Sequence, residues 1–108
     1  MTLDEIFRDI QALEEELSNY ERKYSVLSET FYESYMNGEE SADDAWVLDW
    51  NDWAGLYEIW LERHEQYTNL IITLKKQTPL SELIKRAAHR ESVSRPLVSV
   101  LFNPTSLS

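Results

Sequence analysis

Apolar side chains recur at alternating intervals of three and four residues along the first part of this chain. This heptad spacing places all of them on one face of an α-helix. Thr2, with Glu5 three positions later, has the pattern of a capping box, which marks the start of a helix. We therefore predict a helix over about residues 3–25. Its apolar face comprises Leu3, Ile6, Ile10, Leu13, Leu17, Tyr20, Tyr24 and Leu27.

A second heptad pattern, built from larger side chains, occupies the middle of the chain. This pattern predicts a helix over about residues 46–76, and Asp43 or Asp44 is placed to cap that helix. Two long amphipathic helices of this kind can bury their apolar faces against each other. The second face comprises Trp46, Trp50, Trp53, Tyr57, Trp60, His64, Tyr67, Ile71 and Leu74, broadened by Leu56, Leu61 and Leu70.

The segment between the two patterns predicts a short helix over about residues 28–37. Ser28 is a candidate N-cap, and Gly38 is placed to end the helix. An acidic loop follows over residues 38–45. The apolar and aromatic side chains on one side of the short helix are Phe31, Tyr32, Tyr35 and Met36.

A fresh helix-start signal, Thr78 followed by Pro79, opens the last part of the chain. It predicts a short helix over about residues 79–90. One strand or an unstructured tail, including the apolar run 97–102, would follow. We predict an all-α fold: an antiparallel hairpin of two long helices with a short helix at the turn, plus a short C-terminal helix and tail.

Charge divides the chain near Thr73. Residues 1–72 carry 18 acidic and four basic side chains, a net charge of −14. Residues 73–108 carry two acidic and six basic side chains, a net charge of +4, so the whole chain has a net charge of −10. We expect an acidic helical hairpin domain over residues 1–76 and a basic C-terminal helix and tail over residues 77–108.

The excess of negative charge argues against intrinsic affinity for nucleic acids or anionic membranes, because both require a cationic surface. Nucleic acid binding is expected only through the basic tail, if at all. That tail could dock on the acidic hairpin, bind DNA or stay mobile, and docking is favoured because the hairpin is the nearest counter-charge. Mobility is a close second for residues 91–108, whose serine and proline content offers little core. Limited proteolysis is then expected to cut first after Arg90 or Arg95 and to leave a helical core over residues 1–75.

The residue types present offer little for catalysis. The chain has no cysteine, and His64 and His89 stand outside any nucleophile or triad motif. Glu-x-x-His pairs, glycine-rich phosphate loops and EF-hand patterns are absent from the sequence. We therefore expect no enzymatic activity, no cofactor and no metal site. We also expect a cytoplasmic protein, because the sequence shows neither a secretory signal nor a run of ~18 apolar residues.

Four tryptophans fall within 15 positions, more than the core of a small helical hairpin requires. They can all fill the core, or some can lie on a second face and contact a partner, since tryptophan is enriched in binding hot spots. Trp50 and Trp53 share one side of the helix with Tyr57 and Trp60, so these four residues cannot readily all be exposed. Trp46, near the helix start, is the best candidate for partial exposure.

A series of short motifs runs through about residues 17–72. They are Tyr24 and Phe31, Gly38-Glu39, Asp43-Asp44, and the run Trp53-Ala54-Gly55-Leu56-Tyr57. These motifs resemble those of small acidic antitoxin-like proteins encoded beside toxin genes in prokaryotic toxin–antitoxin modules. That group has Tyr-Gly-Met-Ser-x-x-x-Phe at the first motif. In this chain Ser25 takes the place of the glycine, and Val26-Leu27 takes the place of Met-Ser.

The resemblance implies that the chain binds and neutralises a basic, toxin-like protein. The acidic residues that would steer this partner are Glu14, Glu15, Glu16 and Glu21, and the loop 39–44 with Asp43 and Asp44. The aromatic residues that would anchor it or organise the core are Trp46, Trp50, Trp53 and Tyr57. A hypothesis of a different class is a self-associating coiled-coil structural or adaptor module, which would form a homodimer through the heptad faces. An adjacent short basic open reading frame would favour the antitoxin hypothesis.

Overall fold

The computed structural model describes residues 1–94, and the side chains of residues 1–89. Four α-helices and one short 3₁₀ turn, Asp44–Trp46, account for most of this part. It contains no strand, so the prediction of an all-α fold is confirmed. The helices are α1, Leu3–Tyr24; α2, Ser28–Met36; α3, Val47–Gln77; and α4, Leu80–Ser94.

Some predictions concern residues beyond this part of the chain. The strand or tail at residues 97–102 and the cleavage site at Arg95 lie outside the described residues. None of the helices within residues 1–94 combines the length and the apolar character that crossing a lipid bilayer requires.

The predicted capping box starts α1. The backbone N–H of Thr2 donates to Glu5 Oε1 over 2.8 Å, and the backbone N–H of Glu5 donates to Thr2 Oγ1 over 3.2 Å. The hydrogen bond from the Thr2 N–H is the main cause that lowers the pKa of Glu5. The helix therefore begins where the sequence places it, and it ends at Tyr24 with Ser25 in the left-handed region at φ 58°.

Gly38 ends α2 as predicted. It follows the C-cap residue Asn37 and has a φ of 89°, which only glycine adopts without strain. Its N–H donates to the carbonyl oxygen of Tyr35, and the N–H of Glu39 donates to that of Ser34, both over 3.1 Å. This pair of bonds is a Schellman motif.

The predicted role of Ser28 as an N-cap is wrong. Ser28 is the first residue of α2, and the capping position is held by Leu27, whose side chain accepts no hydrogen bond there. The Ser28 backbone N–H donates instead to Glu21 Oε2 over 2.8 Å. The Ser28 hydroxyl is buried and accepts a hydrogen bond from Trp53 Nε1 over 2.9 Å. A carboxylate on α1 thus stabilises the start of α2, which frees the serine side chain to contact α3.

The apolar face of α1 is buried or half-buried from Leu3 to Tyr24, with Ile6, Ile10 and Leu17 buried. Leu27 was predicted to continue this face, and that prediction is wrong. It is 67% exposed because α1 has already ended at Tyr24.

On α3 the predicted face is centred on Trp53, which is buried, while Leu61 and His64 are exposed. Leu61 therefore does not broaden the buried stripe as the sequence suggested. The half-buried members of the predicted set are Trp50, Leu56, Tyr57, Trp60, Tyr67, Leu70, Ile71 and Leu74.

Side chains of α1 and α3 meet in opposite sequence order. Lys23 near the end of α1 contacts Asp49 near the start of α3. Further along α3, Trp60 Nε1 donates to Glu14 Oε2 over 3.1 Å. Further still, Arg63 pairs with Asp9 over 3.2 Å.

The chain divides into two compact units, Met1–Ile71 and a second that begins at Ile72. In the second unit, α4 begins at Leu80, one residue later than predicted, and extends to Ser94 rather than to residue 90. Arg86 and Glu82 form an ion pair along α4 at 3.6 Å. The candidate site described below lies wholly in the first unit.

Candidate protein-binding site

An aromatic cluster around Trp53 holds the first three helices together. Trp53 is only 1% exposed, and its ring stacks on that of Phe31 with 3.9 Å between centroids and 1° between planes. Tyr20 and Tyr24 also stack against Trp53, with centroid distances of 5.8 and 5.7 Å. Of the two roles predicted for Trp53, this burial is compatible with organising the core and leaves no surface for a partner to contact directly.

Asp49 joins the first turn of α3 to the end of α1. Its Oδ2 atom accepts hydrogen bonds from Lys23 Nζ over 2.6 Å and from the Tyr24 hydroxyl over 2.7 Å. These two bonds lower the pKa of Asp49, Lys23 being the larger cause, and the carboxylate in turn raises the pKa of Lys23. The pKa of Tyr24 is also raised, chiefly by burial and then by its bond to Asp49.

The acidic loop leads directly into an exposed apolar segment. The carboxylate of Asp43 accepts a hydrogen bond from the N–H of Ala45 over 2.9 Å, so Asp43 caps the 3₁₀ turn Asp44–Trp46 that precedes α3, rather than α3 itself. Trp46 follows and is 38% exposed, which agrees with its choice as the tryptophan best placed for partial exposure. Its inner edge contacts Tyr24, with 5.7 Å between ring centroids. Leu48, two residues later, is 75% exposed.

The three consecutive glutamates of α1 have different surroundings. Glu14, Glu15 and Glu16 are all exposed, as expected for residues that would steer a partner. Glu14 alone among them has a hydrogen bond to α3, from the indole of Trp60. The structure thus distinguishes Glu14, which faces α3, from two neighbours that the sequence pattern treated as equivalent.

An open cleft of about 450 Å³ lies between α1, the start of α2 and α3. Its walls are both apolar and acidic. The residues that line it are Glu14, Leu17, Ser18, Glu21, Leu27, Ser28, Glu29, Tyr57 and Trp60. We refer to this feature as the α1–α3 cleft.

The carboxylates of the α1–α3 cleft affect its tyrosine. The pKa of Tyr57 is raised, first by burial and then by the negative charges of Glu29 and Glu21. The Tyr57 ring stacks on Trp60 with 5.5 Å between centroids and 14° between planes. The cleft therefore combines a continuous aromatic wall with a negative potential.

A second, smaller recess of about 280 Å³ lies beside the acidic loop. It brings together Asp44 and Trp50, two of the residues predicted to bind a partner. Trp50 is half-buried and also packs edge-on against Phe31 at 5.3 Å. The remaining lining residues are Tyr35, Glu39, Glu40, Ser41, Val47 and Asn51.

The residues predicted to bind a partner thus lie in different parts of the first unit. Trp53 belongs to the core, Glu14 and Tyr57 line the α1–α3 cleft, and Asp44 and Trp50 line the recess. Glu29 was missed, and Leu27 and Trp60 were assigned to buried heptad faces. The acidic first turn of α2 signals an exposed carboxylate at Glu29, but no sequence signal places it opposite α3.

Within the described part of the chain, no group of three or more His, Cys, Asp or Glu side chains is arranged to hold a metal ion. His64 is exposed and its ring lies against Trp60, with 4.8 Å between centroids. No protein family, curated protein or solved structure matches this chain.

Proposed function

We propose that this chain is a cytoplasmic, antitoxin-like protein that binds and neutralises a basic, toxin-like protein. The charge of the first unit supports such a partner, since residues 1–72 carry a net charge of −14. A strongly negative surface accelerates encounter with a cationic partner and disfavours partners of like charge.

A single surface feature carries the proposal, namely an exposed tryptophan beside carboxylates. Trp46 is 38% exposed and lies two residues after Asp44, and Asp43 and Asp44 are themselves exposed. Exposed aromatic side chains supply much of the energy of protein interfaces, whereas charges at the rim mainly determine the rate of association. A partner that covers Trp46 would therefore meet the acidic loop at the same time.

The framework that would present this surface is an antiparallel hairpin of α1 and α3 with α2 at the turn. Contacts from Lys23 to Asp49 and from Glu14 to Trp60 support this arrangement, because their sequence order is opposite on the two helices. Phe31 of α2 stacks on Trp53 and so supports a position for α2 beside the turn.

A second candidate function is self-association as a helical module. Leu48 and Ile59 are both exposed, and their spacing of eleven residues, about three helical turns, places them on the same side of α3. Exposed apolar side chains on one side of a helix can pack against a second copy of the chain. Sedimentation equilibrium distinguishes the two functions, because a stable homodimer without any heterologous partner favours the helical module.

The experiment that tests the antitoxin proposal uses the product of the neighbouring gene. This product, purified alone, is passed over the immobilised full chain and binding is followed by surface plasmon resonance. We expect saturable binding that weakens as salt rises, because exposed charges are screened. An acidic protein of similar size serves as the control analyte. Absence of binding by the neighbouring product would remove the proposal.

A further inference from the structure

The α1–α3 cleft differs from the rest of the acidic surface because its walls are apolar as well as charged. Leu27, which is 67% exposed, and Trp60 provide apolar surface, while Glu14, Glu21 and Glu29 provide carboxylates. We propose that this cleft receives an arginine side chain from the basic partner protein, an inference that rests on the proposed function.

Charge complementarity identifies the occupant as cationic. Three carboxylates line the cleft, and its lining residues include no lysine or arginine among the side chains the structure describes. The negative charge that Glu29 and Glu21 place around Tyr57 belongs to the same cleft. A cation that enters this space is attracted by the carboxylates that line it. Arg22 of the chain itself donates a hydrogen bond to Ser18 of this lining, but to none of the three carboxylates.

Two of these carboxylates are already positioned by the fold. Glu14 accepts a hydrogen bond from the indole of Trp60, and Glu21 accepts one from the backbone N–H of Ser28. Each bond comes from an uncharged donor, so each carboxylate keeps its full negative charge and further acceptor capacity. Little side-chain freedom is then lost when a cation binds them, which favours affinity.

The mixed character of the walls favours arginine over lysine. The arginine side chain packs its aliphatic stem and planar guanidinium against apolar and aromatic surfaces, here Leu27 and Trp60. Its five N–H donors can reach more than one carboxylate at once, whereas the lysine ammonium is a compact and strongly hydrated charge.

The test uses the full chain and three short synthetic peptides that are identical except at one position. That position holds arginine, lysine or citrulline, which keeps the shape of arginine without its charge, and leucines flank it. Binding is followed by the NMR resonance of the Trp60 indole N–H, which lies at the cleft, with the Trp46 indole as a reference outside it. We expect the arginine peptide to shift the Trp60 resonance at lower concentration than the lysine peptide, and the citrulline peptide to leave it unchanged.

Matched variants locate the binding site. Glu29→Gln should weaken the arginine peptide about tenfold, or about 1.4 kcal/mol, because it removes a charge-assisted hydrogen bond. Glu14→Gln should do the same while keeping an acceptor oxygen for Trp60. Glu33→Gln, one turn further along α2 and exposed, removes the same charge away from the cleft and should weaken binding less than about twofold. Circular dichroism confirms that each variant remains helical.

Equal binding of the arginine and citrulline peptides, or equal weakening by Glu29→Gln and Glu33→Gln, would overturn the assignment of the cleft. The outcome is separable from that of the proposed function. If the neighbouring gene's product binds the wild-type chain and the Glu29→Gln variant equally well, the cleft assignment fails and the proposed function stands. If that product does not bind but the peptides behave as expected, the proposed function fails and the arginine site stands.

Discussion

The indole N–H of Trp53 donates a hydrogen bond to the hydroxyl oxygen of Ser28 over 2.9 Å, and both side chains are buried. This bond connects the first residue of α2 to the centre of α3. It satisfies the only polar atom of the Trp53 side chain, which has no access to water at 1% exposure. The position of α2 and the burial of Trp53 therefore depend on each other.

The first prediction concerns this hydrogen bond. Ser28→Ala leaves the buried indole N–H of Trp53 without an acceptor and should lower the free energy of unfolding by about 1–3 kcal/mol. Urea unfolding followed by circular dichroism measures the change. Thr30→Ala, on the exposed side of α2, serves as the control and should change stability by less than about 0.5 kcal/mol. Equal effects of the two substitutions would show that the hydrogen bond does not stabilise the fold.

The second prediction concerns the apolar face of α1. Leu17→Ala removes a buried side chain from the cluster with Phe31 and Trp53 and should cost about 2–5 kcal/mol. Leu13 is only half-buried, so Leu13→Ala should cost roughly 1–2 kcal/mol. Leu27→Ala, at an exposed position, is the matched control with an expected cost below about 0.5 kcal/mol.

Thermal and urea unfolding rank these three variants. If Leu17→Ala leaves stability unchanged but abolishes self-association, the face of α1 is an interface between copies rather than part of the core. That outcome would favour the self-associating module over the antitoxin-like protein.

Helix boundaries were predictable from the sequence because their signals are local. The capping box of Thr2 and Glu5 and the positive φ of Gly38 each depend on residues within a few positions. The wrong prediction for Leu27 arises because the heptad pattern does not register the end of the helix. The heptad count continues through the turn at Ser25, but the helix does not, so periodicity alone extends the face too far.

The candidate site was less predictable because it depends on distant residues. Ser28 is a good capping residue in isolation, yet Glu21 takes that role and Trp53 uses the hydroxyl. Likewise, Glu14 and Glu29 line one cleft only because α1 and α2 both pack beside α3. Sequence spacing specifies which residues share a helix face, but not which residue of another helix lies opposite.

The third prediction concerns residues with left-handed backbone. Gly38→Ala should cost about 1–2 kcal/mol, because a residue with a Cβ is strained at a φ of 89°, even though no atom beyond the two flanking residues would lie within 4 Å of that Cβ. Ser25→Gly should instead stabilise by about 0.5–1 kcal/mol by relieving strain at a φ of 58°. Gly55→Ala, within α3 and also free of neighbours, should stabilise by about 0.5–1 kcal/mol through helix propensity.

Unfolding in urea measures all three changes. Opposite signs for Gly38→Ala and Gly55→Ala are the decisive comparison, because the two substitutions add the same methyl group. If both destabilise, the difference in backbone conformation between the two positions does not control their stability.

The fourth prediction concerns pH. The pKa of Asp49 is lowered in the folded chain by its bonds from Lys23 and Tyr24. Because the folded pKa lies below the unfolded value of about 3.9, the stabilisation is complete above that value and is lost as pH falls through the folded pKa. Asp49→Asn should therefore be less stable than wild type near neutral pH, and the difference should narrow on acidification.

Urea unfolding at a series of pH values from about 6 downwards measures the difference in stability between wild type and Asp49→Asn. This difference should decrease around and below the unfolded pKa of about 3.9. Lys23→Met should remove part of the same pH-dependent stabilisation, because Lys23 is the larger cause of the lowered pKa of Asp49. Stability curves of wild type and Asp49→Asn that stay parallel down to low pH would contradict the assignment.

The last prediction separates charge from contact in partner binding. Five acidic residues are neutralised together, with glutamine at Glu14, Glu15 and Glu16 and asparagine at Asp43 and Asp44. Asparagine at Asp43 keeps the oxygen that caps the following turn. We expect association with the neighbouring gene's product to slow by roughly tenfold or more at low salt, and its salt dependence to flatten, because exposed charges act mainly on encounter. Glu14, which also lines the α1–α3 cleft, is the one of the five whose loss should accelerate dissociation as well.

Trp46→Ala should have the opposite kinetic signature. Removing an exposed aromatic contact should accelerate dissociation and leave the association rate nearly unchanged, since differences in affinity at one interface arise mainly in dissociation. Ile72→Ala, an exposed apolar residue at the start of the second unit, is the matched control. Surface plasmon resonance at a low and a high salt concentration resolves both rates. If the binding rates change neither with salt, nor with the five neutralised acids, nor with Trp46→Ala, the antitoxin hypothesis is wrong. A self-associating helical module would then be the favoured function.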